Sequence, residues 1–508
     1  MALDRENAMS DAATLDATVK TNAGWVEGLT RGGHVAFYGI PYASAPIGQT
    51  RFRAPKPAGA WLGMRRATEK GFAALQTPHF IPGFAASGPQ DEDCLNLNIF
   101  TPATDRAKRP VMVWIHGGGF THGAGYEPLY DGGPLAERGD VVVVSLNYRL
   151  GALGFLSIPE AGIPGNAGLL DQVAALQWVA DNIAAFGGDP AEVTIFGESA
   201  GSAAVACLVA MPAAKGLFQR AILQSGVGRA GPPEFAAKAA DKLLAGLGLD
   251  RSQVVDLFEL PAAKILEAQA SGGFGPGMGF GPTRDPASLP EDPMKVVRDG
   301  GAKEIGLLIG SNRDEVKLFV PGRREPMADE ALLAAVKARL PKASEAQAKE
   351  LIDVYRASRE TKGLPTDNLD LIDAIGSDMQ FRISSTKFAA SQTPHSPAWL
   401  YLFTHTSPAR RGALGACHAL EMPFVFGTTK IEGQVNFAGA GPEVERLEGE
   451  IMDAWIAFAR TGNPNHRGLP VWPAYDGEAR QTMVFDTVAA TVESDPFGEE
   501  RRALEALL

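Results

Sequence analysis

Residues 192–201 read Glu-Val-Thr-Ile-Phe-Gly-Glu-Ser-Ala-Gly, and this stretch carries most of the information about the fold. The apolar residues of 192–196 predict a strand, and the small side chains of 200–210 predict a helix. Between them stands the pattern G-x-S-x-G, which places a serine on a sharp strand-to-helix turn. Its glycines let neighbouring chain approach, and the helix dipole favours negative charge at the serine oxygen. The pattern therefore predicts Ser199 as a nucleophile.

A second glycine-rich turn follows another apolar stretch. Residues 111–115 form a continuous apolar run, and residues 116–120 read His-Gly-Gly-Gly-Phe. By itself the triple glycine would be read as a flexible turn. Glycines leave backbone N–H groups unshielded, so two of these groups, with the N–H that follows Ser199, would make a three-donor site for an oxyanion. Together with the serine turn, the run indicates acyl-transfer chemistry.

The order of apolar patterns indicates an α/β protein. Residues 111–115 and 141–146 are continuous apolar runs, as found in strands buried on both faces. Helix patterns alternate with these strands, which predicts a mostly parallel central sheet with helices on both faces. We expect a loose tail over residues 1–17 and one domain over 18–508, with a helical, cap-like insertion at about 325–390.

Composition and charge argue against several classes of protein. The 508 residues hold 47 Lys and Arg against 59 Asp and Glu, a formal net charge of −12, which offers no basic footprint for nucleic acid. No apolar run approaches the roughly 18 residues that a membrane helix needs, and the polar start does not resemble a secretion signal. The three cysteines, Cys94, Cys207 and Cys417, suit reduced thiols better than a disulfide framework, so we expect a cytoplasmic protein.

A serine nucleophile on such a turn needs an acid and then a histidine further along the chain. Four histidines lie downstream of the turn: His395, His405, His418 and His466. His418 is favoured, because the apolar stretch after it could anchor its loop against the core. For the acid, residues 309–315 follow a buried strand, where such sheets present functional side chains. Asp314 and Glu315 both qualify, and as neighbours only one of them can face His418.

Several other sequence motifs occur in the chain besides the serine turn. They are Phe-Tyr-Gly-Ile-Pro-Tyr-Ala at 37–43, Glu-Asp-Cys-Leu-Asn-Leu-Asn at 92–98, Asn-Tyr-Arg-Leu-Gly at 147–151, Gly-Asn-Ala-Gly-Leu-Leu-Asp-Gln at 165–172 and Phe-Gly-Gly-Asp-Pro at 186–190. With these blocks the sequence resembles the bacterial type-B carboxylesterases over nearly its whole length. This α/β-hydrolase family includes para-nitrobenzyl esterases and, more distantly, cholinesterases.

The resemblance implies a set of site residues. Those that match the family pattern are the nucleophile Ser199, the acid Glu315, the base His418 and the oxyanion-hole amides of Gly118, Gly119 and Ala200. In the Asp-Glu pair it is thus Glu315, and not Asp314, that matches the acid. Glu198 matches a position that helps shape a buried polar network in relatives, or it stands here as a structural carboxylate.

Three departures from the family pattern bear on the site. Cys94 has no cysteine before it, so the disulfide that secreted relatives form at this position is absent. Val316 follows the matched acid and Ala419 follows the matched histidine, where the family usually has glycine. Both changes add a β-carbon near the site and leave the reactive atoms untouched.

The resemblance implies hydrolysis of small-molecule carboxylic esters through an acyl-enzyme, with no metal or organic cofactor. With an ordinary histidine pKa, activity would rise at about pH 6–7 as His418 loses its proton. An amide, carbamate or thioester hydrolase would use the same triad, and a cholinesterase-like interaction protein is the alternative outside enzymes. We expect neither nucleic-acid nor membrane partners, and the oligomeric state stays open.

The residues that line the pocket have no sequence motif of their own, unlike the reactive ones. The candidates are Glu198, Phe120, Tyr126, Leu129, Phe319 and Phe424. Each aromatic or aliphatic member of this set could equally belong to the ordinary core.

Overall fold

An eleven-stranded sheet forms the centre of the protein. The structure is a computed structural model that describes residues 16–79, 81, 83–228, 230–272, 279–320 and 324–508. Within these residues the strands of all sheets are β1 (Thr18–Lys20), β2 (Trp25–Glu27), β3 (Leu29–Arg31), β4 (His34–Pro41), β5 (Met64–Arg66), β6 (Asn96–Thr101), β7 (Arg109–Ile115), β8 (Val142–Leu146), β9 (Ser157–Ile158), β10 (Ile163–Pro164), β11 (Gly188–Glu198), β12 (Arg220–Gln224), β13 (Gly306–Asn312), β14 (Ala398–Phe403), β15 (Gln481–Phe485) and β16 (Thr491–Ser494).

The large sheet is parallel through its middle and antiparallel at both margins. Its order is β16-β15-β14-β13-β12-β11-β7-β8-β6-β4-β3, and each neighbouring pair from β15 to β8 is parallel. The pairs β16–β15, β8–β6, β6–β4 and β4–β3 are antiparallel. The predicted mostly parallel sheet is confirmed. Strands β1, β2 and β5 form a separate small sheet, and β9 pairs with β10.

Helices connect the strands and cover the sheet. Those within the described residues are α1 (Gly133–Gly139), α2 (Gly151–Phe155), α3 (Ala167–Asn182), α4 (Ala200–Ala210), α5 (Pro233–Gly246), α6 (Ala262–Ser271), α7 (Pro293–Arg298), α8 (Asp329–Arg339), α9 (Glu345–Thr361), α10 (Asn368–Ser377), α11 (Ile383–Gln392), α12 (Met422–Phe426), α13 (Gln434–Ala438), α14 (Pro442–Thr461) and α15 (Gly498–Glu505). A π-helical turn, Asp378–Arg382, joins α10 to α11.

Both faces of the sheet are buried, because side chains alternate along each strand. Val111 and Val113 of β7 enter one core with residues of α3 and α4. Met112 and Trp114 of the same strand enter a second core with residues of α1, α12 and α14. Burial on both sides explains why the strands read as continuous apolar runs. The predicted placement of helices on both faces is confirmed.

Helices α8 to α11 occupy most of the region predicted as a helical insertion. Residues of α8, α9 and α10 share a third, smaller core with Leu504 of α15. Helix α11 packs against β13 and β14 of the large sheet. The division into a tail over 1–17 and one domain over 18–508 stays a prediction, and residues 1–15 of that tail lie outside the described residues.

The parallel strands bring distant residues to one edge of the sheet. Strands β7, β11, β12 and β13 are neighbours that run in the same direction, so their carboxyl ends meet there. They end at Ile115, Glu198, Gln224 and Asn312. In open α/β sheets the crevice outside these ends is where ligands bind. The serine turn, the glycine turn and the candidate acid all follow these ends.

Candidate active site

Ser199 occupies a strained backbone position between β11 and α4. Its φ of 58° and ψ of −122° lie in a region that residues other than glycine rarely adopt. The strain is held in place because its N–H donates to Gln224 O at 2.9 Å and its carbonyl accepts from Ala203 N at 2.9 Å. The side chain is partly exposed, and Oγ makes no hydrogen bond within the described part of the chain. The serine hydroxyl is therefore partly accessible and uncommitted at the carboxyl edge of the sheet.

The glycines around Ser199 are required by close backbone approach. A β-carbon on Gly201 would lie 2.0 Å from Ile115 O of β7, and one on Gly197 would lie 2.5 Å from the Gly201 carbonyl carbon. Neither position can hold a larger residue without moving a backbone segment. The G-x-S-x-G pattern thus lets α4 begin directly against the end of β7.

The glycine turn after β7 offers unpaired backbone donors. Gly118 and Gly119 both have positive φ, and a β-carbon on Gly118 would lie 2.1 Å from His122 O. A β-carbon on Gly117 would lie 3.2 Å from Ser199 Cβ, so this turn runs directly past the serine. The amide N–H groups of Gly118, Gly119 and Ala200 make no hydrogen bond to the described residues. Such donors are free to bind an oxyanion formed at Ser199.

His418 and Glu315 lie in contact although 103 residues separate them. His418 Nδ1 is 2.6 Å from Glu315 Oε2, and both side chains are fully buried. The second carboxylate oxygen, Oε1, accepts from Asn312 N at 2.8 Å. The backbone N–H of His418 also donates to the backbone carbonyl of Glu315 at 3.2 Å. Both oxygen atoms of the carboxylate thus have a partner. The carboxylate is held in place, and it fixes the orientation of the imidazole at its Nδ1 side.

Asp314 faces away from His418. Its carboxylate lies 2.8 Å from Arg313 and 3.5 Å from Arg359, and it accepts from Ala416 N at 3.0 Å. Burial raises the pKa of Asp314, but the surrounding cations, led by Arg313, hold this pKa below its usual value. Asp314 thus ties the loop after β13 to the loop that carries His418, and Glu315 is the member of the pair that meets the imidazole.

The other downstream histidines are engaged elsewhere. His395 is exposed and bonds Arg298 O. His405 lies between Thr487 Oγ1 and Ala438 O, and His466 bonds Glu450 O. Of the four candidates, His418 is the histidine that the structure places beside the serine turn.

The Nε2 side of His418 meets Glu198, the residue before the serine. His418 Nε2 and Glu198 Oε1 are 2.9 Å apart, at angles that do not form a hydrogen bond. Glu198 directly precedes Ser199 in the chain, so this contact places His418 Nε2 at the serine turn. Burial lowers the pKa of His418, but the carboxylates of Glu198 and Glu315 raise it more, so the net pKa lies well above its ordinary value. The condition of an ordinary histidine pKa, on which a rise in activity at about pH 6–7 depended, is therefore not met.

A third buried carboxyl group, that of Glu421, is bonded to the last residues of β12 and β13. Asn312 Nδ2 donates to Glu421 Oε2 at 2.6 Å, and Gln224 Nε2 donates to Oε1 at 3.1 Å. Burial, followed by the charges of Glu198 and Glu315, raises the pKa of Glu421 to about 8. This raised pKa favours the protonated form of Glu421 near neutral pH. Sequence reasoning missed this group, whose only signal is its position three residues after His418.

Two phenylalanine rings flank His418. The ring centroid of Phe319 is 5.0 Å from that of the imidazole, and the ring centroid of Phe381 is 4.9 Å from it. Phe319 was a pocket candidate, and its side chain is 38% exposed. Phe381 was not a candidate, because its approach to His418 depends on the π-helical turn between α10 and α11.

The remaining pocket candidates have contacts in other parts of the described chain. Phe120 is buried, has a φ of 60° and packs edge-on against Phe155 at 5.1 Å. Tyr126 lines a separate cavity of about 270 Å³ at the surface. Leu129 and Phe424 pack in the second core, Phe424 with no exposed surface.

Comparison with known proteins shows the family of the chain. A sequence profile described as the carboxylesterase family matches residues 15–502. The chain belongs to this carboxylesterase family. The para-nitrobenzyl esterase of Bacillus subtilis (strain 168) is 41% identical over 496 residues, 96% of this chain and 98% of that protein. The phenmedipham hydrolase of Pseudarthrobacter oxydans is 36% identical, over 94% of this chain and 96% of its own length.

Solved structures of the family share the fold. A PNB esterase structure superposes with a TM-score of 0.83 at 41% sequence identity, covering 96% of this chain and all of that one. The α/β-hydrolase fold and the carboxylic ester hydrolase predicted from sequence are confirmed by these matches. The roles of individual residues stay predictions that the geometry above supports.

One departure from the usual carboxylesterase pattern strains the backbone. Ala419, where glycine is usual in the family, has a φ of 63°. An L-residue in this left-handed region is strained by about 1 kcal/mol or more relative to glycine. The other departure, Val316, contributes its N–H to Ser377 Oγ at 3.2 Å, and its side chain packs on Gly376 of α10. Both substitutions are accommodated beside the His418–Glu315 pair.

Proposed function

We propose that this carboxylesterase-family protein hydrolyses small-molecule carboxylic esters with Ser199 as nucleophile, His418 as base and Glu315 as the acid that orients the base. The observation that carries the proposal is the contact of His418 with Glu315 at 2.6 Å, with its opposite ring nitrogen beside the Glu198–Ser199 turn. This chemistry requires a nucleophile, a base within reach of it and a third group that orients the base.

The reaction would proceed in two steps. His418 Nε2 takes the proton of Ser199 as the serine oxygen attacks the ester carbonyl, and the amides of Gly118, Gly119 and Ala200 bind the oxyanion. Each such donor stabilises the transition state by about 3 kcal/mol. His418 then protonates the departing alcohol, and water attacks the acyl-enzyme with help from the same base. The acid is released and Ser199 regains its proton.

Active-site labelling tests the nucleophile directly. A fluorophosphonate probe is expected to modify one serine, and peptide mass mapping is expected to find the label on Ser199. Ser202 supplies a matched control, because it lies one turn further along α4 with its hydroxyl donating to Gly226 O. The variant Ser202→Ala should still take the label at Ser199. A label at another residue, or no label in protein that turns over p-nitrophenyl butyrate, would contradict the proposal.

The pH dependence tests the contact between Glu198 and His418. His418 must be neutral to accept a proton, so kcat/KM should rise with pH through the pKa of His418. Because that pKa is raised, the acid limb should lie above the value of about 6.5 typical of free histidine. Glu198→Gln removes one negative charge, which lowers the pKa of His418 and moves the acid limb to lower pH.

The measurement is a profile of kcat/KM against pH for p-nitrophenyl butyrate. Glu192→Gln is the control, since Glu192 lies on the same strand β11 but pairs with Arg220 away from the site. Its profile should match that of the wild type. An acid limb that stays in place in Glu198→Gln would show that the Glu198 charge does not act on His418.

A reducing, cytoplasmic location forms part of the proposal. All three cysteines are free and buried, and burial raises the pKa of each thiol, which keeps it protonated and unreactive. Cys417, next to His418, is thereby a poor rival nucleophile. In the part of the chain that the structure describes, every helix is too short or too polar to span a bilayer.

A further inference from the structure

The glycine turn that carries two of the candidate oxyanion-hole amides continues to Gly123. Gly118, Gly119 and Gly123 all have positive φ, and Gly118 O accepts from the backbone N–H groups of Thr121 at 3.1 Å and His122 at 3.0 Å. Glycine residues give a turn little conformational restraint of their own. The position of these amides must therefore be set by contacts with other parts of the protein.

The side chain of Gln76 makes such a contact at the end of the turn. Gly123 N donates to Gln76 Oε1 at 2.8 Å, and Gln76 Nε2 donates back to Gly123 O at 2.9 Å. The same side-chain amide accepts from Ala86 N at 2.9 Å and donates to Ala74 O at 2.9 Å. Two donated and two accepted bonds use the full capacity of a glutamine amide, so its orientation is fixed.

The backbone around Gln76 is itself anchored. Gln76 N donates to Gln90 Oε1 at 2.9 Å. Ala73 N donates to Pro89 O, and Asp91 N donates to Ala73 O, both at 3.0 Å. Gln76 is only 6% exposed, and hydrogen bonds are stronger in a buried setting than in water. The Gln76 amide is therefore a fixed support for the glycine turn.

The peptide bond between His122 and Gly123 connects this support to the candidate oxyanion hole. A β-carbon on Gly118 would lie 2.1 Å from His122 O and 3.4 Å from Gly123 N, so Gly118 packs directly on that peptide. A β-carbon on Gly123 would lie 2.9 Å from Gly117 O, so Gly123 also lies close to the start of the turn. A shift of Gly123 would therefore move the chain that presents its N–H groups beside Ser199.

We propose that Gln76 is a positioning residue, which holds the N–H groups of Gly118 and Gly119 at the place where the oxyanion forms. This inference rests on the proposed function, because these amides bind an oxyanion only when a carbonyl group reacts at Ser199. Gln76 acts through Gly123 and contributes no atom to the reaction. An oxyanion hole depends on donors that are fixed in advance, and a displacement of about 1 Å can cost about 10²-fold in rate.

Stabilisation of the transition state separates this role from a purely structural one. The oxyanion is absent from the bound ester, and it forms in both the acylation and the deacylation step. Displaced donors therefore lower kcat and slow both steps, with little change in substrate binding. A residue that merely stabilises the fold affects the melting temperature and leaves kcat of the folded enzyme unchanged.

The experiment uses Gln76→Met, which keeps the length of the side chain without its amide, and Gln76→Ala. The alanine leaves room for water to bond the freed groups of Gly123 and Ala86 without fixing the turn. For both folded variants we expect kcat for p-nitrophenyl butyrate to fall about thirtyfold, with KM within about threefold of the wild type. The decay of butyryl-Ser199, followed by quench and mass spectrometry, should slow by a similar factor. Since Gln76 carries no charge, the acid limb of the pH profile should stay in place.

A transition-state analogue measures the oxyanion hole more directly. When 1,1,1-trifluoro-2-heptanone binds, Ser199 Oγ adds to its carbonyl carbon, the serine proton passes to His418, and the carbonyl oxygen becomes an oxyanion that stays bound. We expect its inhibition constant to rise about thirtyfold in Gln76→Met, in parallel with the fall in kcat. The inhibition constant of 2-heptanol, which cannot form this adduct, should change by less than about threefold.

Gln392→Met is the matched control for loss of a buried glutamine amide. Gln392 of α11 has no exposed surface, and its Nε2 donates to Ala302 O at 2.9 Å and Ile305 O at 2.8 Å. Ile305 directly precedes β13, so this contact lies at the opposite edge of the sheet from the serine turn. The variant should melt earlier than the wild type and keep kcat within about twofold of it.

The outcomes are distinct. If kcat and inhibition by the trifluoromethyl ketone were unchanged in both folded Gln76 variants, the proposal would be overturned. An equal fall of kcat in Gln392→Met would also overturn it, since loss of any buried amide would then have the same effect. A shifted acid limb would overturn it by placing the effect of Gln76 on His418. Turnover of p-nitrophenyl butyrate by Ser199→Ala would instead overturn the proposed function, independently of Gln76.

Discussion

Ser199→Ala is expected to lower kcat for p-nitrophenyl butyrate by a factor of about 10⁴ or more. Without the hydroxyl no acyl-enzyme forms, and water would have to attack the bound ester unaided. The substitution should leave the fold intact, because Oγ of Ser199 makes no hydrogen bond within the described residues. Alanine also keeps the backbone bonds to Gln224 and Ala203. Residual turnover would come from the unpaired amides of the oxyanion hole and from substrate binding.

The measurement is steady-state kinetics with thermal denaturation as a check on folding. Since alanine suffers the same positive-φ strain as serine, the two proteins should melt at similar temperatures. Ser202→Ala, which removes a hydroxyl one helical turn away, should keep kcat within a few-fold of the wild type. If a folded Ser199→Ala retained even one-tenth of wild-type turnover, another group would have to be the nucleophile.

The serine turn was predictable because its sequence pattern is local. Strand, glycines, serine and helix follow one another within residues 192–210, although the contact that requires Gly201 is made with Ile115 O of β7. The parallel sheet was predictable for a related reason. A strand buried on both faces must be apolar throughout, and β7 and β8 are such strands.

The partners of Ser199 were only partly accessible to the same reasoning. Chain order and composition left four histidines and two acids open, and the family resemblance selected His418 and Glu315. Which acid faces the imidazole depends on the direction of two adjacent side chains. The structure shows that Asp314 is drawn to Arg313 and Arg359, while Glu315 is held by Asn312. Arg313 is the sequence neighbour of Asp314, but the approach of Arg359 from α9 has no signal in the local sequence.

The surroundings of His418 were not predictable. Glu198 was recognised as a position in a buried network, but its approach to Nε2 is a matter of side-chain packing. The raised pKa of Glu421 arises from burial and from the carboxylates of Glu198 and Glu315, both more than one hundred residues before it in the chain. The π-helical turn that presents Phe381 has no signature in its five residues. These features depend on packing between segments that are far apart in the chain, which local sequence patterns do not record.

Glu315→Gln is expected to lower kcat/KM by a factor of about 10³–10⁴, although the new side chain is almost the same size. The reason is the backbone N–H of Asn312, which donates to Glu315 Oε1. A glutamine must turn its carbonyl oxygen toward that N–H, so its NH₂ group faces His418 Nδ1. Nδ1 then becomes the acceptor, and the imidazole proton is forced onto Nε2. In that tautomer Nε2 cannot take the proton of Ser199, and the charged imidazole also loses the carboxylate that stabilised it.

The matched control is Asp314→Asn, which removes one negative charge at the neighbouring position without touching His418. Its main cost should be stability, because Asp314 is buried between Arg313 and Arg359, and breaking a buried pair costs about 3–5 kcal/mol. We therefore expect Asp314→Asn to melt earlier while keeping kcat/KM within about tenfold of the wild type at a temperature where it is folded. Glu315→Gln should show the reverse, a large loss of turnover with a modest change in melting. Equal losses in the two variants would mean that general negative charge, and not the tautomer imposed at Nδ1, is what the site requires of Glu315.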